Sequence, residues 1–290
     1  MFNLCLIELV LRSLVCLLPG ILVPFGVIMQ TLTKFVNGDG AMSSWSEYAG
    51  ILETSLRLRT RPIAYKRFEK AGDLDKISRM QRMDRPFTFC QLPTLVRRGQ
   101  GVTIGVTRGD QINPRCARIH GLALTTEKQL AGEIVYFKDT YFTTEEEARR
   151  QMASYPLIPP GEAIVLAPLA SVQFEPDVIL VYATPAQMMV LLCSLQVRDF
   201  ERFHFFFIGE GSCADSLAQC YVTGKPALSL PCYGERSFGA VEDDELLLAI
   251  PPTMKEKTID GLATLEKRRR GYPIPVLGPA APPPSLIRPT

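Results

Sequence analysis

Eight cysteines and two histidines are the residues of this 290-residue sequence with the widest chemical reach. Three of the cysteines fall within residues 209–236, GEGSCADSLAQCYVTGKPALSLPCYGER. Four stand beside turn chemistry: Cys90 before Gln-Leu-Pro, Cys116 after Asn-Pro-Arg, Cys213 after Gly-Glu-Gly-Ser, and Cys232 after Pro231. Four such thiolates suit a four-iron four-sulfur (4Fe–4S) cluster or a tetrahedral zinc, because iron and zinc both favour sulfur ligands. Turns let the backbone approach a cluster and donate N–H bonds to its sulfurs. With only His120 and His204 in the chain, a histidine-rich metal site is excluded. Spacing argues less strongly: the successive gaps are 26, 97 and 19 residues, with no C-x-x-C. The competing reading is that free cysteines pack as small hydrophobes. Cys193, in a Met/Leu-rich run, and Cys220 fit that reading.

Cys213 supports a second chemistry. FFFIGEGSCADSLAQC reads as a strand, a glycine-bearing turn and a helix, with Cys213 in the first helical turn. Free N–H groups and the helix dipole there lower a thiol's pKa and make a pocket for a small anion. Gly209, Gly211 and Ser212 would line that pocket, and Arg236, beside Cys232 in CYGER, would meet the anion. Gly209-x-Gly211 lacks the third glycine of a dinucleotide fingerprint. A nucleophilic Cys213 wants a base, for which His120 and His204 are the candidates and Asp215 an orienting partner. Read blandly, each histidine is structural and Asp215 is a helix N-terminal acid. Arg97-Arg98 reads as a solvated turn, and Asp243-Asp244-Glu245 as a solvated acidic loop.

The elements that must position these residues alternate. A helix is expected over 44–57, capped by Ser44 with Glu47 as a capping box, and a strand over 61–68. PFTFCQLPTLVRRGQGVTIGV holds a strand, a short helix and a second strand at 101–106. Helices follow from 116 and over 145–153, the latter capped by Thr143 or Thr144. AIVLAPL (163–169) and DVILVYA (177–183) are short apolar runs that read as buried strands. Pro185–Leu195 reads as a helix, RFHFFFIG (202–209) as a strand buried on both faces, and Cys213–Tyr221 as a short helix. Strands at 227–233 and 245–251 and a closing helix at 254–270 complete the pattern. The expectation is an α/β or α+β protein, a mixed sheet with flanking helices, possibly two subdomains over 42–160 and 161–270. The tail 271–290 is too proline-rich to pack.

Apolar residues at 47% and charged residues at 21% are those of a globular protein. A net charge of +2 gives no footprint for nucleic acid. Eight cysteines in so long a chain are too few for a disulfide scaffold and point to reduced thiols in a cytoplasmic protein. Any partner is a small molecule or a redox protein. Residues 1–41 differ from the rest, with 21 uncharged residues from Ser13 to Thr33. They read as translation begun upstream of a start at Met42, as a membrane anchor through residues 13–33, or as a cleaved signal. A membrane is a partner only if they are translated and retained.

From Ser44 to Leu265 the chain resembles an uncharacterised prokaryotic family, the domain of unknown function family 169. The resemblance rests on LRLRTRPIAYKRF, RPFTFCQ, LVRRGQGVTIGV, EPDVILVYATPAQMMVLL, CADSLAQCYVTGKPALSLPCYGER and DDELLLAIP, in order. It implies cysteines at the positions of Cys90, Cys116, Cys213 and Cys232. A Cys-Pro-Gly-Gly run often stands at the second of these; here it reads Cys116-Ala117-Arg118-Ile119, so the glycine turn is missing. It also implies a chain beginning near Met42. It carries no activity.

Overall fold

In the runs AIVLAP and VILVYA no residue alternates with a polar one, which is what a strand covered on both faces requires. The computed structural model, which describes residues 44–98 and 101–275, places them as β3 (Ala163–Pro168) and β4 (Val178–Ala183). With β1 (Ile63–Phe68), β2 (Ile104–Thr107), β5 (Ala227–Ser229) and β6 (Leu246–Ile250) they form one six-stranded sheet in the order β2-β3-β1-β4-β6-β5. Every pairing of these strands is antiparallel. Parallel pairing among the described residues is confined to two isolated bridges, Gln81 with Ile104 and Phe87 with Ile112. The fold is therefore α+β.

The period of two along each strand sorts its side chains onto two cores. In β4, Val178, Leu180 and Tyr182 face one layer, while Ile179, Val181 and Ala183 face the other. The second layer is built by α1 (Trp45–Leu56), α6 (Pro185–Ser194) and α9 (Lys255–Lys267), through Tyr48, Leu52, Met188, Leu191, Ile259 and Leu262. Local chemistry starts these helices. Ser44 caps α1 through the Glu47 N–H, and Thr184 with Gln187 forms a capping box ahead of Pro185 at α6. At the α6–α9 contact Gly261 is obligatory, because an added Cβ would lie 1.9 Å from the Ser194 carbonyl oxygen. We expect Gly261→Ala to cost about 1–3 kcal/mol as overpacking between two helices, read by urea unfolding. An unchanged midpoint would mean the helices move apart freely.

The first layer carries the chemistry. It comprises α2 (Gln91–Arg97), α3 (Pro114–Ile119), a π-helical turn (Ala214–Ala218) that runs into α7 (Gln219–Thr223), and α8 (Tyr233–Gly239). Beside it α4 (Glu127–Thr140) and α5 (Glu145–Ser154) form a helical pair with its own small core of Ile134, Phe137, Ala148 and Met152. Thr126 and Gln129 make the capping box of α4, and Thr144 caps α5.

Residues 202–209 are not a strand. They form no ladder, and Phe206 is 75% exposed. Only Phe203 and Phe205 reach the second core, whereas His204 lies exposed. An apolar, aromatic run specifies an extended chain with an inward side, and a ladder needs a partner edge in register as well. The expectations for residues 1–41 fall outside the described residues, as does most of the tail. Among the described residues no helix is long and apolar enough to cross a membrane.

Candidate functional site

Three of the four turn-associated cysteines take N-cap positions in the first layer. Cys90 precedes α2, Cys213 precedes the π-helical turn, and Cys232 precedes α8. The fourth, Cys116, lies in α3, with Asn113 as cap and Pro114 in the first turn. A Cβ placed on Gly234 would stand 3.1 Å from Cys90 Sγ and 3.7 Å from Cys232 Sγ, so the two sulfurs flank one point. The Phe89 N–H points at Cys116 Sγ from 3.5 Å, and the Ser212 hydroxyl lies 3.4 Å from Cys232 Sγ.

The thiols act on one another. A hydrogen bond from the Cys90 thiol, then one from the Ser212 hydroxyl and the N–H groups of Ser212 and Glu235, hold Cys232 down against the effect of burial. Its hydrogen bond to Cys232, burial, and the charges of Cys213 and Cys116 push Cys90 up. Within this pair the thiolate form is favoured at Cys232 and the thiol form at Cys90. Burial, with Cys116 and Cys232 as neighbours, raises Cys213. Burial raises Cys116, and the Phe89 N–H and the Arg115 guanidinium oppose it.

Beneath the thiols lies a buried carboxyl. Glu235 accepts from the Tyr182 hydroxyl at 2.5 Å and lies 2.5 Å from the Ser212 hydroxyl, whose single proton is shared between this carboxyl and the Cys232 sulfur. Burial, followed by the charge on Cys232, raises it above the usual carboxylate range. The Arg97 guanidinium stacks 4.1 Å over the Tyr182 ring and forms a bidentate pair with Glu245, at 2.6 and 2.9 Å. This pair corrects the reading of Arg97 as a solvated turn residue and of Glu245 as part of a solvated loop: both are buried. The acidic residues just before Glu245 fit the loop reading better. Asp244 meets Arg59 at the surface and Asp243 is fully exposed.

Several expected roles are not met. Cys213 is 9% exposed and raised, the opposite of an activated nucleophile. No hydrogen bond joins it to either histidine among the described residues. His120 is buried, stacked on Phe89 at 3.8 Å and 3.3 Å from the Tyr65 hydroxyl, while His204 is exposed. The Gly209–Ser212 turn, with φ of 80° at Gly209 and 105° at Gly211, does not open into an anion pocket. The N–H groups of Ala214 and Asp215 bond the Gly211 carbonyl, and the Ser212 side chain turns inward to Glu235. Arg236 donates to the Glu242 carbonyl at 2.8 Å and stands 3.4 Å from Asp243. Asp215 accepts the Ile208 N–H, and burial raises it to about 6. Cys220 is buried as expected; Cys193 is exposed, on the side of α6 away from Leu191. Reasoning from the sequence missed Arg115, Tyr182, Glu210 and Glu235, whose residue types carry no sign of burial.

The chain is thus an α+β protein with a thiol-bearing face. Among the described residues no group of three or more His, Cys, Asp or Glu side chains has the arrangement of a metal site. The chain belongs to domain of unknown function family 169, described as "Uncharacterised ArCR", whose model matches residues 51–261. It is also similar to "Uncharacterized protein MJ0308" of Methanocaldococcus jannaschii, 26% identical over 211 residues, covering 72% of this chain and 82% of that one. No solved structure matches significantly.

Proposed function

We propose that Cys90, Cys116, Cys213 and Cys232 take up a thiophilic metal or an iron–sulfur cluster, and that the protein serves redox chemistry or electron transfer with a small molecule or a redox protein. The observation that carries this reading is that the Cys90 and Cys232 sulfurs, distant in the chain, flank one point beside Gly234, with Cys116 and Cys213 near enough to act on their charge. Ionising several thiols in one buried place is costly, and a bound cation reverses that cost. The group would supply electron storage for a cluster, or structural or Lewis-acid chemistry for zinc.

The test is anaerobic purification, followed by visible absorption and metal analysis of the same sample. We expect iron with a cluster absorption band, or zinc, and at least a tenfold loss of metal in Cys90→Ser and Cys232→Ser. Cys193→Ser and Cys220→Ser should keep it. Equal metal content across all of these variants would end the proposal.

The lowered Cys232 favours a second reading, a thiolate nucleophile supported by Cys90. In metal-free protein, alkylation by a small reagent should then go to Cys232, with a pH midpoint well below a free thiol's value of about 8.5. A midpoint at the free-thiol value would remove this reading.

A further inference from the structure

A cavity of small-molecule size lies apart from the thiols. It lies between the α4–α5 pair and the turn before Cys213, with a volume of about 530 Å³, within the size range of small-molecule pockets. Its walls are Tyr141, Phe142, Gln151, Ile208 and Glu210, with Glu147 and Arg150 also at its edge. Glu147 and Arg150 neutralise one another at 2.8 Å. Glu210 is left as the charge that decides the chemistry.

Glu210 is only 7% exposed. Its carboxylate accepts the Tyr141 hydroxyl at 3.3 Å and stands 3.6 Å from the Arg115 guanidinium, an ion pair too long for a direct hydrogen bond. Arg115 is itself held by ring faces, 4.9 Å over Phe137. Burial and the neighbouring Cys232 raise the Glu210 carboxyl despite Arg115, Tyr141 and the Tyr233 N–H. The negative charge is therefore under-compensated where it meets the cavity. A second polar group is also unspent. Gln151 is 8% exposed and gives its amide N–H to the Tyr155 hydroxyl, while its Oε1 has no partner.

We propose that this cavity binds a small organic ammonium ion, a primary amine on an apolar or aromatic body. Glu210 would take the ammonium group through a charge-assisted hydrogen bond. The faces of Tyr141 and Phe142 would add cation–π attraction, and Ile208 would cover the apolar body. Gln151 Oε1 offers a further acceptor for an N–H, once the side chain turns. A hydrated metal ion would leave the aromatic and aliphatic walls unused. No lining residue is a cysteine, so the amine would bind without touching the thiols.

The probe is benzylamine, with benzyl alcohol and benzoate as its neutral and anionic counterparts, titrated calorimetrically into the full chain. We expect saturable binding of benzylamine, at least about tenfold weaker binding of the alcohol and no binding of benzoate. Glu210→Gln should weaken benzylamine about tenfold or more and leave the alcohol unchanged. Should that variant fail to fold, Phe142→Leu and Gln151→Leu, which also line the cavity, should each weaken benzylamine several-fold. Equal binding of the three probes, no binding of any, or amine affinity unchanged in all foldable variants would overturn the proposal.

Discussion

Replacing Glu245 by alanine should destabilise the protein by about 3–5 kcal/mol, the cost of leaving a buried charge without its partner. Arg97 is 1% exposed and cannot shed its proton, so the variant must bury a bare guanidinium or open the structure. Thr60 supplies a hydrogen bond at 3.0 Å and the Tyr182 ring a stacking face, and neither replaces a bidentate carboxylate. The double variant Arg97→Met/Glu245→Leu should recover most of the loss, because it removes both charges and keeps the volume. Urea unfolding of the three proteins decides. If the double variant is as unstable as Glu245→Ala, shape rather than charge pairing is what the site requires. The pair also stacks on Tyr182, which hydrogen-bonds Glu235 under the thiols.

The second large effect is acid sensitivity from His120. Burial lowers this imidazole to about 3, and its Nε2 has no partner that would stabilise the charged form. In the unfolded chain the group titrates near 6.5. Between those values the unfolded state binds the extra proton, so stability rises with pH and is lost as pH falls from about 6.5 toward 3. The full shift corresponds to about 5 kcal/mol by the same linkage. Asp215, raised to about 6, acts in the opposite sense, because its folded form takes a proton first as pH falls. The measurement is therefore a difference: unfolding free energy against pH for the wild type and for His120→Phe, which keeps the stacking on Phe89. The variant should lose the steep decline between pH 6.5 and 4. Parallel curves for the two proteins would show that His120 is not the group responsible.

Much of the fold was legible in local pattern. β3, β4 and β6 came from short apolar runs, β1 from alternation of apolar and polar residues, and α1, α5 and α6 from caps and apolar faces, because these signals are written within a few residues. Two helices were not read, α4 and α8. The buried face of α4 is narrow, Ile134 and Phe137, and that of α8 is a glutamate and a glycine packed under the thiols. Residues 202–208 failed for the complementary reason: the aromatic run read as a strand buried on both faces, but only Phe203 and Phe205 reach the core, and a ladder depends on a neighbour elsewhere in the chain.

The site divides along the same line. The residue types and turns around Cys90, Cys116, Cys213 and Cys232 are local properties, and they marked these four thiols as the ones to watch. Residue order could not say that it is Cys232, rather than Cys213, whose surroundings favour the thiolate. That follows from a hydrogen bond with Cys90, 142 positions away in the chain, and from Ser212 and Glu235 closing around the same sulfur. The same holds for Arg97 with Glu245 and for Glu210 beside its cavity. Charge state in a buried place is set by desolvation and by neighbours in space, and both exist only once the chain has closed its long loops.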